Sequence, residues 1–441
     1  MIKSLVNKIK KTDNKVKKEI FYIIFFFLLS FLNQITLLLF FLYLFYKSFG
    51  GKLYCIYGLL LITFRTIIND SIAVNIGSMQ LIKYCLIFYF SFIIWNSKNF
   101  FMTQKQAKWL KLILLISFFM FIYVLLVSLF FSGYPIISIF KYFSYCFPFV
   151  TIIYGIICTS KKIDWLDQLY CIFTILMIGS LLSIPFSFAY YSSKNWFAGL
   201  TNQSNMFGIL SAIYIAIVLT KLMKKKSKFL YFNLITTIYM AWISNSRTGM
   251  FSIVVFLVIY IIYEITLKMN LKLFFLILIS IFVIVITPLS DIIESSISAF
   301  LFKGSDTTEI ISFDNINNIF SSREGQKYTF LEKYEKNKMF GTGFQVPLNE
   351  GNRDWSLNFS TIVEPGNLLY ATIGDIGLTG FFIFSILYLV IFIAKLDIKK
   401  ILLFIAPFTI SFGEMVFFST NNIAIILYAL FGIYLSIEME C

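Results

Sequence analysis

Residues 112–131 read LILLISFFMFIYVLLVSLFF, twenty positions without a charged side chain. At about 1.5 Å per residue, a helix of that length is about 30 Å long, which matches the hydrocarbon core of a bilayer. Two serines and a tyrosine are its only polar side chains. A helix also satisfies its own backbone donors and acceptors where there is no water to do so. Comparable apolar runs recur at 20–46, 53–67, 79–95, 137–158 and 165–187. Others lie at 206–222, 229–246, 249–267, 272–289, 366–394, 401–418 and 421–437. The pattern predicts an all-α, polytopic integral membrane protein of about 12–14 transmembrane helices, with residues 1–441 forming one domain. The alternating ten-residue segments of an outer-membrane barrel are not what the runs show.

Composition agrees. The chain is 59% hydrophobic and only 13% charged, against roughly a quarter charged in soluble domains. Its net charge of +15 does not imply a nucleic-acid partner, because the lysines cluster beside the apolar runs. Lys3, Lys8, Lys10, Lys11, Lys15, Lys17 and Lys18 precede the first run, and Lys221, Lys224, Lys225, Lys226 and Lys228 separate two others. Lys395, Lys399 and Lys400 form a third group. The positive-inside rule places all three groups in the cytoplasm, with both termini. A basic start then requires 20–46 to be a hairpin around Asn33-Gln34, giving fourteen spans. A single long helix there would give thirteen.

The same orientation puts residues 188–205, the turn Ser244–Gly249 and the polar segment 290–363 on the outer side. That last segment holds seven Lys/Arg and ten Asp/Glu, so it lacks the inner bias. Within it, Arg323 to Lys338 has the pattern of an amphipathic helix, and Gly341-Thr342-Gly343 that of a turn. The six cysteines have no metal-ligand spacing, and the chain has no histidine. The commonest general base and metal ligand is therefore missing from any mechanism.

Arginine is scarce, four residues against thirty-three lysines: Arg65, Arg247, Arg323 and Arg353. All four fall on the predicted outer side. A guanidinium binds phosphate in a planar, bidentate way that lysine does not reproduce, so the expectation is an anionic ligand at that face. Four short patterns accompany them. Asn205 and Gly208 open one run, where a helix N-terminus offers free N–H groups to an anion. Ser246-Arg247-Thr248-Gly249 forms a tight turn between two runs. Ser322-Arg323 and Gly341-Thr342-Gly343-Phe344 lie in the polar segment. Glu364-Pro365-Gly366-Asn367 opens a run that continues through Asp375, with Gly374, Gly377 and Gly380 suited to close helix packing. Glu364 is the best-placed candidate for a general base. Asp375 lies deeper, where Lys83 or Lys141 could pair with it. Tyr190, Tyr191, Trp196 and Trp355 offer aromatic faces to sugars, or simply an interfacial belt.

In this order, the four patterns resemble the polysaccharide polymerase and ligase superfamily, the Wzy-type O-antigen and capsule polymerases with the O-antigen ligases. The resemblance spans about 195–385 in motifs and the whole chain in architecture. It implies a GT-C-like, metal-independent glycosyltransferase of the bacterial cytoplasmic membrane, with 290–363 as a large extracytoplasmic loop. The substrate implied is an undecaprenyl-pyrophosphate-linked oligosaccharide repeat unit, polymerised at the outer face for capsule, exopolysaccharide or O-antigen. Arg247 and Arg323 would hold the pyrophosphate, Glu364 would deprotonate the acceptor, and Asn205 and Asn367 would orient sugar or phosphate oxygens. Arg65, Arg353 and Asp375 are further candidate substrate-binding residues. A chain-length regulator and a flippase are implied partners, with no cofactor, nucleotide sugar or metal. The ligase branch carries a histidine before the Asn of the last pattern, whereas this chain has Glu364-Pro365-Gly366. That favours a polymerase over a ligase of finished glycan. A flippase for the same lipid-linked unit is the alternative from another class.

Overall fold

The structure, a computed structural model, describes residues 14–97, 103–191, 196–266, 324–349, 351–357, 366–420 and 423–436. The first apolar run is a hairpin. Helices α1 (Asn14–Leu29) and α2 (Gln34–Ser48) are separated at Asn33. The Asn33 side chain accepts from the Thr36 amide at 2.9 Å, and the Thr36 hydroxyl takes the Asn33 amide in return. That reciprocal cap starts α2 where a continuous helix would otherwise run on.

The next helices are α3 (Lys52–Ile67), α4 (Gln80–Asn96), α5 (Gln104–Phe131), α6 (Pro135–Thr159) and α7 (Trp165–Ser183). Thr103 and Gln106 cap α5 reciprocally, Pro135 occupies the first turn of α6, and Asp164 caps α7. Proline suits a first turn because the amide it lacks would have no partner there. Two short strands, β1 (Tyr190–Tyr191) and β2 (Trp196–Phe197), pair antiparallel. Beyond them run α8 (Ser204–Lys224), α9 (Lys228–Ile243) and α10 (Arg247–Thr266). The remaining described helices are α11 (Glu324–Lys336), α12 (Leu368–Ala394), α13 (Ile401–Gly413) and α14 (Ala424–Leu435). The expected span at 272–289 lies outside the described residues.

Among the described residues, six helices are long and apolar enough to cross a membrane: α5, α6, α7, α8, α10 and α12. Large apolar side chains project outward from them, such as Phe118 and Phe119 on α5, Ile175 and Leu182 on α7, and Phe382 on α12. In water such a surface would be an association hazard, whereas in hydrocarbon it costs nothing. Helix α8 is buried among α7, α9, α10 and α13. The same core continues between α6, α12 and α14, where it is aromatic. There the Tyr145 and Tyr388 hydroxyls are 2.8 Å apart, and Tyr428 donates to the Phe417 carbonyl at 2.6 Å.

The bundle of described helices has two chemically different ends. At one end, Lys221 pairs with Asp167, and Lys226 pairs with Glu264 at 2.9 Å. Lys395 and Lys400 donate to the Ser436 carbonyl at the same end. The Glu264 carboxylate holds the Lys226 ammonium above its ordinary pKa. The opposite end carries the loops at 69–76, 132–134, 198–203, 244–246, 343–349, 351–357 and 414–420. Asn69 and Asn202 exchange backbone bonds with Leu200 and Ile67 there, and Asp354 bonds to Gly133.

Reporter fusions at Lys226 and Asp397 should therefore read one compartment, and a fusion at Asn245 the other. Equal readings at 226 and 245 would refute the two-ended arrangement.

Candidate functional site

Among the helices that begin at the end remote from the lysine clusters are α8 at Ser204, α10 at Arg247 and α12 at Leu368. Helix α13 finishes there at Gly413. Small residues let them approach closely. A Cβ on Gly249 would stand 2.6 Å from the Gly208 carbonyl, and one on Gly208 would meet the Ser246 Cβ at 2.2 Å. The backbones of α8 and α10 are therefore in contact, as glycine-lined helix crossings allow. Gly413 faces α10 in the same way, since its Cβ would lie 2.2 Å from the Thr248 hydroxyl oxygen. Between α9 and α10 the chain reverses through Ser244–Ser246. Asn245 adopts φ 53° there, a left-handed conformation that Asn tolerates better than most residues.

Polar side chains gather at this junction. The Ser246 hydroxyl donates to the Asn205 carbonyl at 3.4 Å and accepts from the Gly249 amide at 3.3 Å. Asn205 Nδ2 approaches Glu414 Oε1 at 3.5 Å. Asn367 caps α12 by accepting from Leu369 and Tyr370, and its amide donates to the Phe412 carbonyl at 2.8 Å. Arg247, half-buried, sits between Ser246 and Thr248 at the start of α10. The N-termini of α8, α10 and α12 thus gather with the Arg247 guanidinium at this junction, a setting that favours negative charge. Glu414 adds a carboxylate on the α13 side.

Beside this junction, part of the polar segment is docked into α12. That helix is broken at Gly377, which has φ 66°. Into the break fits the turn after α11. Leu378 and Thr379 donate to the Lys338 and Met339 carbonyls at 3.0 and 3.1 Å, and the Gly343 amide donates to the Asp375 carbonyl at 3.0 Å. A Cβ on Gly341 would stand 2.4 Å from that carbonyl, and one on Gly377 2.4 Å from the Met339 carbonyl. Both glycines are required because two backbones occupy the space a side chain would need. The Asp375 carboxylate, 1% exposed, locks the arrangement. One oxygen takes the Lys333 ammonium at 2.6 Å, and the other takes the Gln345 amide at 2.7 Å. Phe330 of α11 stacks on Tyr370 with centroids 4.8 Å apart, and the Phe344 amide donates to Ser138 at 2.7 Å.

The residues selected from the sequence therefore separate. Asn205, Arg247 and Asn367 stand at the junction. Arg65 does not present its fork there. Buried at 1% exposure, it bonds the Ser30 hydroxyl and carbonyl, each at 3.1 Å, and also the Val74 carbonyl. It clamps the α1–α2 turn against the loop after α3. Arg353 donates to the Leu129 and Phe130 carbonyls and so caps α5, as a basic side chain at a helix C-terminus does. Asp375 binds the docked segment: its close ion-pair partner is Lys333, which the sequence reading did not select, while the expected Lys141 adds a weaker electrostatic attraction. Arg323 and Glu364 lie outside the described residues. Helix α11 falls within the segment predicted to be amphipathic.

Glu414 was missed, although it carried a signal. It sits inside the apolar run 401–418, and an ionisable residue at membrane depth marks a functional candidate by default. Lys333 and Gln345 had no comparable signal. No family model and no curated protein matches the chain.

Asp375→Asn should leave the Lys333 ammonium buried without a counter-charge, at a cost of about 3–5 kcal/mol. Thermal unfolding in detergent should show a large loss for this variant. Adding Lys333→Met should restore most of it. A single variant as stable as the parent would rule out the lock.

Proposed function

We propose that the chain is a polysaccharide polymerase joining undecaprenyl-pyrophosphate-linked repeat units at the outer face of a bacterial cytoplasmic membrane. In this reading the helices form a GT-C-like bundle with both termini in the cytoplasm, and 290–363 is its extracytoplasmic loop. A hydroxyl of the incoming unit attacks the anomeric carbon at the reducing end of the growing chain. The carbon–oxygen bond to the pyrophosphate breaks, and undecaprenyl pyrophosphate leaves with the electron pair. Arg247, joined by Arg323, offsets the charge developing on that leaving group. Glu364 takes the proton of the attacking hydroxyl, and Asn367 holds the start of α12 at the site. The reaction needs no metal or nucleotide.

The supporting observation is the meeting of Asn205, Arg247 and Asn367 at one end of the bundle. They come from three separate sequence patterns, and each stands at or beside a helix N-terminus. A guanidinium beside the free N–H groups of helix starts stabilises charge that grows in a transition state. The docked segment beside them would limit the access of water, and exclusion of water strengthens those interactions.

Deletion of the gene should leave single lipid-linked repeat units where the parent strain makes long polymer. Arg247→Lys keeps the charge but loses the fork, and should reduce long-chain polymer by about tenfold or more. Unaltered chain length in a deletion strain carrying this variant would exclude the pyrophosphate-clamp role. Glu364→Gln should abolish extension while the protein still reaches the membrane. Normal polymer from that variant would remove Glu364 as the base.

A further inference from the structure

The junction carries charge of both signs. Arg247 opens α10, and Glu414 follows the last residue of α13. A phosphate suits the first and is repelled by the second, since like charges brought together out of water disfavour each other strongly. A carboxylate beside a carboxamide suits a different ligand. Glu414 is acceptor-only when ionised, while the Asn205 amide both donates and accepts. Their side chains approach to 3.5 Å, so two neighbouring hydroxyls of one sugar ring could engage both.

The pair is held in place from several directions. Gly413 lies against Thr248 with no room for a side chain, which fixes the residue that follows it. The Glu414 amide continues the helical bonding to Ile410 at 3.2 Å, and its carbonyl accepts from Val416 at 2.8 Å. The preceding carbonyl, of Phe412, is taken by Asn367. Asn205 is fixed through its own carbonyl by Ser246. One turn before Glu414, the Ser411 hydroxyl is buried and has no partner among the described residues.

We infer that Glu414 and Asn205 form the acceptor subsite, binding the sugar whose hydroxyl attacks. The inference rests on the polymerase reading and adds a direction to it. The donor's pyrophosphate lies on the Arg247 side, and the acceptor arrives over the ends of α8 and α13. It also adds a sugar class. The acceptor ring is a neutral or amino sugar, because a uronic acid would bring a second carboxylate against Glu414.

The test uses the full-length protein in detergent. Its donor is the natural lipid-linked repeat unit extracted from the deletion strain. Its acceptor is the same glycan released from pyrophosphate and capped with an octyl group, which can accept but cannot donate. Mass spectrometry follows extension of the octyl glycan, and release of undecaprenyl pyrophosphate follows donor use. Glu414→Gln, nearly isosteric, should raise the acceptor concentration for half-maximal rate by about tenfold or more, the scale of one lost charged hydrogen bond. The donor concentration for half-maximal rate should change less than about twofold. Asn205→Asp should impair acceptor use in the same way and keeps the test decisive if Glu414→Gln does not fold. Acceptor saturation equal to that of the parent in the folded variants would overturn the subsite while leaving the polymerase reading intact. A parent protein that neither extends the acceptor nor releases undecaprenyl pyrophosphate would sink that reading, and this inference with it.

Discussion

A single buried carboxylate connects the polar part of this chain to its apolar part. Asp375 lies about two turns into a long apolar helix, where an unpaired charge would be expensive. Its close partners among the described residues come from another segment: the Lys333 ammonium and the Gln345 amide, with Gly343 taking its main-chain oxygen. Helix α12 cannot keep that carboxylate inside unless residues 333–345 come in with it. The break at Gly377 supplies the backbone groups that receive the turn. Residues 353 and 354 are tied down nearby, with Asp354 bonded to Gly133 and Arg353 seated on the end of α5.

The junction next to it depends on a different constraint, the removal of side-chain volume. Gly208, Gly249 and Gly413 bring α8, α10 and α13 into near backbone contact. Asn205, Asn367 and Glu414 can touch the neighbouring elements only because those glycines are there. Helix direction does the rest. Each helix that starts at this end brings free N–H groups to it, while the lysines lie at the far end, where α7, α8, α10, α12 and α14 have their own ion pairs and caps.

Much of the fold was legible in the sequence, because length and hydropathy alone define a membrane-spanning helix. The hairpin at Asn33 was an open alternative to a single helix. Its deciding feature, the reciprocal cap with Thr36, is a local signal that a hydropathy reading overlooks. The candidate site was legible in part. Asn205, Arg247 and Asn367 stood out because each is polar at the mouth of an apolar run. Arg65 and Arg353 looked equivalent to Arg247, since sequence gives an arginine's position and charge but not which carbonyls it meets. The turn Gly341-Thr342-Gly343 was evident as a turn. Its insertion into a broken helix was not, because that contact joins residues from separate segments through main-chain atoms, which leave no composition pattern. Glu414 was readable and was passed over within an otherwise apolar run.

The aromatic core between α6, α12 and α14 bears on what could travel through the bundle. The Tyr145 and Tyr388 hydroxyls satisfy each other, Tyr428 is tied to the Phe417 carbonyl, and Phe344 stacks edge-on against Phe418 at 4.8 Å. A hydrated saccharide threading this seam would have to prise the rings apart and strand phenolic groups in hydrocarbon. That penalty makes the seam a bulkhead; in the proposed reading a hydrophilic headgroup would dock instead at the rim where α8, α10 and α13 meet, without dismantling the interior.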